Sequence, residues 1–115
     1  MKILITGVNG QIGSALAKSL VNYDVIPIAR EDCNLQDKNQ IQKIIDLNKP
    51  ELIINTAAYT RVENAQEEKD IAFQINCDAP ILMAQKASNY KIPFIHFSTD
   101  YIFDGEKKDP YIEAD

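Results

Sequence analysis

The stretch that decides the reading is KILITGVNGQIG, Lys2 to Gly13. Ile3, Leu4 and Ile5 form an unbroken apolar run, the pattern of a strand buried on both faces. Gly7, Gly10 and Gly13 follow at G-x-x-G-x-x-G spacing, and a helical run begins among them. The first glycine lets the chain turn sharply off the strand. The second lets backbone approach a pyrophosphate with no Cβ in the way, and the third lets the helix pack close to the sheet. The phosphates would rest on free N–H groups at the helix N-terminus, where the dipole favours negative charge. A plain glycine-rich strand-to-helix turn would use the same glycines. Their position between a β-type run and an amphipathic run favours the phosphate reading.

Outward from this stretch, strands and helices alternate. Ile12, Leu16, Leu20 and Val21 give Gln11 to Val21 helical spacing, with small Ser14 and Ala15 suited to close packing. Val25 to Ala29 reads as the second strand, blemished by Pro27, which suits an edge or an irregular strand. Asp37 and Gln40 form a capping box for a helix through Ile41, Ile44, Ile45 and Leu47 that ends at Pro50. Leu52 to Asn55 is the third strand, and Glu63 to Asp70 a polar, acid-rich, solvated approach. Ile71 to Ala87 is helical, with Ile71, Ile75, Leu82 and Met83 available to one side. Pro80 cannot bond the carbonyl of Asn76, so the helix either stops and restarts or kinks. Pro93 to Phe97 is the fourth strand. The alternation predicts an α/β fold, a doubly wound parallel sheet with right-handed crossovers. Gly7 to Gly13, Ala29-Arg30, Asn55 to Thr60 and Ser98 to Tyr101 all fall at C-terminal strand ends, where such sheets bind ligands.

The composition narrows the function. With 115 residues there is room for one domain, and 45% hydrophobic against 25% charged residues is a globular balance. A net charge of −5 argues against nucleic acid or an anionic membrane as main partner. One histidine and two cysteines, Cys33 and Cys77, offer no zinc spacing; they read as reduced thiols of a cytoplasmic protein. No apolar run reaches membrane-span length, and no signal-peptide pattern opens the chain.

Four strings taken together are more specific: TGVNGQIG (6–13), INTAAYTRVENAQ (54–66), INCDAP (75–80) and FSTDYIFDG (97–105). The chain resembles the dTDP-4-dehydrorhamnose reductases, in the extended short-chain dehydrogenase/reductase superfamily. The resemblance implies a Rossmann-type NAD(P)-binding domain over residues 1–115, ending before the sugar-binding domain. It implies NAD(P)H-dependent reduction of the 4-keto group of a dTDP-6-deoxyhexose, giving dTDP-L-rhamnose for polysaccharide synthesis. Gly7, Gly10, Gln11 and Ile12 would hold the pyrophosphate, with Gly13 closing the motif. Many relatives have an acidic residue after the second strand, where this chain has Ala29-Arg30. A guanidinium there pairs with a 2′-phosphate, so NADPH is expected over NADH, although Arg30 could also be an ordinary surface arginine.

Asn34 and Leu35 match the adenine-contacting pair, and Ala57, Ala58, Tyr59 and Thr60 match the loop along the cofactor's middle. Asn76 matches a helix asparagine whose kinked backbone often serves a water relay; a simple helix break at Pro80 is the bland alternative. Thr99 matches the hydroxyl member of the family's Thr-Tyr-Lys set and orients the reacting oxygen. Thr99, Asp100 and Tyr101 would meet the dTDP-sugar, whereas Phe103 reads as packing. His96, inside an apolar strand, reads as a satisfied core histidine.

The chain departs from the family in two ways. It has no Tyr-x-x-x-Lys pair: Lys91 follows Tyr90 at once, and Tyr111 has no lysine after it. In the family that pair supplies the proton, so the 115 residues alone are expected to turn over nothing. Some relatives carry a metal-bridging glutamate where this chain has Ala15, so no metal is expected, while a homodimer stays open. Three rivals stay open as well: a non-enzymatic NADP-binding regulatory subunit, another extended reductase acting on a nucleotide sugar, and a truncated gene product.

Overall fold

The computed structural model describes residues 1–58 and 69–97. Its elements run β1 (Lys2–Thr6), α1 (Gln11–Ser19), β2 (Asp24–Ile28), α2 (Lys38–Asn48), β3 (Leu52–Asn55), α3 (Lys69–Phe73), a π-helical turn (Gln74–Asp78), α4 (Ala79–Tyr90) and β4 (Phe94–His96). All four strands are parallel, in the order β2-β1-β3-β4. The expected alternation of strand and helix is therefore present, and the sheet is of the Rossmann type.

The apolar run of β1 lies at the centre. Ile3, Leu4 and Ile5 are buried, and alternate residues serve opposite faces. Ile3 and Ile5 join Ile54, with Leu16 and Leu20 of the α1 region packed over them. Leu4 joins Ile28 and Ile53 beneath Ile41 and Ile45 of α2 and Leu82, Met83 and Ala87 of α4. Each of the isoleucine, leucine and methionine side chains contributes about 1.5–3 kcal/mol by leaving water. The chain steps one way from β1 to β2, then back across β1 to β3 and on to β4. With right-handed crossovers that reversal sends α1 to one face and α2 and α4 to the other. The helices diverge at the C-terminal ends of β1 and β3, and a cleft opens there.

Pro27 sits in an unbroken β2, opposite Ile5. The Ile28 carbonyl points to β1, accepting from Gly7 N at 3.0 Å, so alternation turns the Pro27 nitrogen to the outer side. No neighbouring strand there, among the described residues, asks for its missing N–H.

Three expectations need correction. The capping box is only half formed: Asp37 accepts from Asn39 N and Gln40 N, but the Gln40 side chain does not reach back to the Asp37 amide. Its Nε2 donates to Asp37 Oδ2, and its Oε1 accepts from Asn34 N at 2.9 Å, bracing the loop after β2. Second, Pro80 neither ends nor restarts the helix. The backbone stays right-handed helical through Phe73, Asp78 and Ala79, and the Ala79 N–H reaches five residues back to the Gln74 carbonyl. The wider turn places Pro80 in the first turn of α4, where its missing N–H is tolerated. The extra residue rotates α4 by roughly 100° about the helix axis. Leu82 and Met83 therefore face the core while Ile71 and Ile75 face the cleft, not one common side.

Third, His96 is not in the core. It ends a three-residue outer strand and is exposed, though its ring is hydrogen-bonded. On the far side of the molecule, Asp46 of α2 pairs with Lys86 Nζ of α4 at 2.6 Å and accepts from the Tyr90 hydroxyl. The Tyr90 hydroxyl is thus engaged away from the cleft.

Candidate functional site

The cleft at the ends of β1, β2 and β3 has a volume of about 910 Å³. Three glycines shape its floor. Gly7 turns off β1 with φ +73°, and a Cβ there would lie 2.6 Å from Ala57 N and 2.7 Å from Thr56 Oγ1. A Cβ on Gly13 would lie 2.1 Å from the Gly7 carbonyl oxygen and 2.7 Å from Thr56 Oγ1. Neither gap can hold a methyl group. Gly10 differs: among the described residues its added Cβ would meet only Gly7 O, at 3.3 Å, and the residue is exposed. Gly7 and Gly13 are thus glycines because the turn and the helix touch there. Gly10 leaves an open cradle at the cleft.

Gly10 is also the N-cap of α1 and supplies no side-chain cap. The N–H groups of the first turn, at Gln11 and Ile12, stand beside the cleft with no capping oxygen among the described residues. A phosphate oxygen fits that need. The turn is held firmly: Gly7 N donates to Ile28 O and Gly10 N to Gly7 O, both at 3.0 Å.

The wall opposite comes from β3. Thr56 Oγ1 donates to Thr6 O at 2.7 Å, and Ala57 and Ala58 continue the wall with small side chains. The far end is the loop after β2, where Arg30, Glu31, Asn34 and Leu35 line the cleft. Asp32 spends a carboxylate oxygen on Ala29 N at 2.8 Å, closing this loop. Asn34 Oδ1 accepts from Gln36 N at 3.0 Å, which leaves that oxygen one further lone pair for a ligand amine.

Most of the cofactor residues expected from sequence thus meet around one cleft: Gly7, Gly10, Gln11 and Ile12, then Arg30, Asn34 and Leu35, and Ala57 and Ala58. Gly13 lies buried beneath, as a packing contact. Asn76 lies in the π turn and is not among the lining residues. Tyr59, Thr60, Ser98, Thr99, Asp100, Tyr101 and Phe103 lie outside the described residues.

Several lining residues had no legible signal. Ile71 and Ile75 look like core positions, and only the π turn turns them to the cleft. Thr56 lies within the INTAAYTRVENAQ string (54–66), which gives it no role of its own. Cys33 is buried in the cleft wall, and burial, then Asp37 and Asp32, pushes its thiol pKa up. Such a shift disfavours the thiolate, the form that attacks or binds metal. Both cysteines are free. Among the described residues no group of three metal-ligating side chains occurs, and no helix is long and apolar enough to cross a membrane.

This geometry accords with what the chain is similar to. The family model described as the RmlD substrate binding domain matches residues 1–115. The chain belongs to that family. Within the RmlD family, it is 42% identical to the dTDP-4-dehydrorhamnose reductase of Burkholderia thailandensis, over 100% of this chain and 39% of the relative. A crystal structure of the Clostridium acetobutylicum reductase superposes with a TM-score of 0.91 at 40% identity, over 100% of this chain and 42% of that one. A Bacillus anthracis dTDP-4-dehydrorhamnose reductase solved in complex with NADP superposes at 0.83, with 32% identity over 92% of this chain and 39% of that one. The chain therefore spans about two fifths of the length of the relatives it matches.

Proposed function

We propose that this chain is the dinucleotide-binding part of a dTDP-4-dehydrorhamnose reductase. The intact protein reduces the 4-keto group of dTDP-4-dehydro-L-rhamnose to give dTDP-L-rhamnose, in the cytoplasm, with NADPH as reductant. The observation that carries the reading is the open Gly10 cradle at an uncapped helix N-terminus, facing a loop that carries Arg30. NADPH, when bound, supplies the hydride. The chain's own residues bind and orient it. The N–H groups of Gln11 and Ile12 take the pyrophosphate. Ala57 and Ala58, with Tyr59 and Thr60 beyond them, leave room for the middle of the dinucleotide, and Asn34 and Leu35 border the adenine. Ile71 and Ile75 exclude water along one side. Asn76 would act through its backbone on a water. Thr99 holds the reacting oxygen of the sugar, with Asp100 and Tyr101 beside the same substrate.

Arg30 carries the choice of cofactor. Asp32 is occupied by Ala29 N, so Glu31 is the carboxylate of this loop that lines the cleft along with Arg30. The test is titration of the intact protein with NADPH and NADH, followed by reduction of dTDP-4-dehydro-L-rhamnose. Arg30→Ala is expected to weaken NADPH by about tenfold and leave NADH unchanged. Equal affinity for the two cofactors in both proteins refutes the role of Arg30. Failure of the intact protein to bind either refutes the reading of the cleft.

A further inference from the structure

Beneath the cleft, a side-chain hydrogen-bond chain ties together the ends of three strands. Asn55 of β3 is fully buried at 0% exposure. Its Oδ1 accepts from Thr6 Oγ1 of β1 and from Ala57 N, the latter at 3.3 Å. Its Nδ2 stands 3.0 Å from His96 Nδ1 of β4. The proton positions in this chain follow from one fixed group. A backbone N–H can only donate, so Ala57 N requires an oxygen opposite it and settles the Asn55 amide orientation. Nδ2 then faces His96 and donates. His96 Nδ1 must accept, which places the ring proton on Nε2.

We propose that Thr6, Asn55 and His96 form a protonation-sensitive clamp that positions the Ala57-Ala58 wall of the cleft. The proposal rests on the dinucleotide reading of the cleft. When His96 takes a second proton, Nδ1–H faces the Asn55 N–H₂, and two donors meet. Rotating the Asn55 amide relieves that contact but turns N–H₂ toward Ala57 N–H, and the conflict moves to the cleft wall. Protonation of His96 at the outer strand thus loosens the wall whichever way Asn55 turns. Among the described residues the ring meets two uncharged side chains, Asn55 and Phe94, the latter's ring stacked at 6.3 Å. Partial desolvation of the ring, on its side against Asn55, lowers the His96 pKa, and among the described residues no carboxylate or cation of β1, β3 or α4 adds to that shift. Both influences favour the neutral ring, so the clamp holds above the ordinary histidine pKa and is lost as pH falls through the lowered one.

The experiment uses the intact protein and two variants. His96→Asn keeps an acceptor oxygen near the Nδ1 position and cannot titrate; His96→Leu removes the acceptor. Nitrogen NMR is expected to find Nδ1 bare at neutral pH and the Ala57 amide resonance titrating with the ring. NADPH affinity is expected to fall about tenfold between about pH 8 and about pH 5 in the parent, stay level in His96→Asn, and be weak throughout in His96→Leu. A proton on Nδ1 at neutral pH overturns the clamp. So does an Ala57 amide that ignores the ring, or a parallel loss of affinity in the parent and His96→Asn. The two NMR readouts need no ligand. If the protein binds no dinucleotide at about pH 8, the cleft reading fails and those readouts still decide the clamp.

Discussion

Alanine at Gly13 and alanine at Gly10 are expected to do different damage, although the two glycines belong to one motif. At Gly13 the new Cβ would lie 2.1 Å from Gly7 O, 2.7 Å from Gly7 C and 2.7 Å from Thr56 Oγ1. Two of those atoms are backbone, and Gly7 is pinned by its bond to Ile28 O. The helix cannot slide away without lifting Leu16 and Leu20 from the sheet. Overpacking of this kind costs about 3 kcal/mol or more when backbone must move. Alanine's better helix propensity returns about 1 kcal/mol. The net loss is about 2 kcal/mol. At Gly10 the one close atom among the described residues is Gly7 O at 3.3 Å, so Gly10→Ala is expected to change stability by less than about 1 kcal/mol. Its methyl group would stand in the phosphate cradle and weaken NADPH by about tenfold or more. Urea denaturation of the intact proteins measures the first effect, and fluorescence titration with NADPH the second. If Gly13→Ala unfolds at the parent's midpoint, the packing argument is wrong. If Gly10→Ala binds NADPH like the parent, the cradle is not where the phosphates sit.

Other expectations are simpler to check. Asp37→Ala removes the oxygen that caps Asn39 N and Gln40 N and should cost about 1 kcal/mol in denaturation, with Asp37→Asn nearly neutral. Lys86 and then Tyr90 hold the Asp46 carboxyl below its usual range. Its stabilising effect is therefore present above the ordinary carboxylate pKa and lost as pH falls through the lowered one; acid titrations of the parent and Asp46→Asn, at low and high salt, should converge at low pH. Pro80→Ala should leave the π turn intact, because the Ala79-to-Gln74 bond does not depend on it; loss of that bond's amide protection in hydrogen exchange would mean the proline sets the turn. The 115-residue chain alone, lacking a Tyr-x-x-x-Lys pair, should show no NADPH oxidation with the keto sugar.

What was legible in the sequence was local. The burial of Ile3 to Ile5 on both faces follows from an unbroken apolar run, and the glycine turn from three residues at fixed spacing. What was hidden was either a departure from regular period or a contact between distant residues. The π turn adds one residue per turn, and no composition cue marks it except Pro80, whose usual meaning is a break. That single residue redirected Ile71 and Ile75. Asn55 and Thr6 are 49 residues apart, and Asn55 and His96 are 41. Nothing near any of them announces the pairing. His96 reads as core because its neighbours are apolar, but a strand of three residues at the outer edge of the described sheet cannot cover its own end.

The same contrast explains why the site stands where it does. Thr56 bonds Thr6 O, and its Oγ1 occupies the space a Cβ on Gly7 or Gly13 would need. The glycine motif is therefore half of a contact whose other half is the first residue beyond β3. Neither half makes the cleft alone. It exists because the chain reverses direction between β1 and β3, which sets Thr6 and Thr56 side by side and parts the helices above them. A fold with the same glycines but no reversal would bury α1's N-terminus under a neighbouring connection, and the uncapped N–H groups at Gln11 and Ile12 would then need a protein oxygen. Among the described residues they have no such cap, and the sheet order is what places them at the cleft.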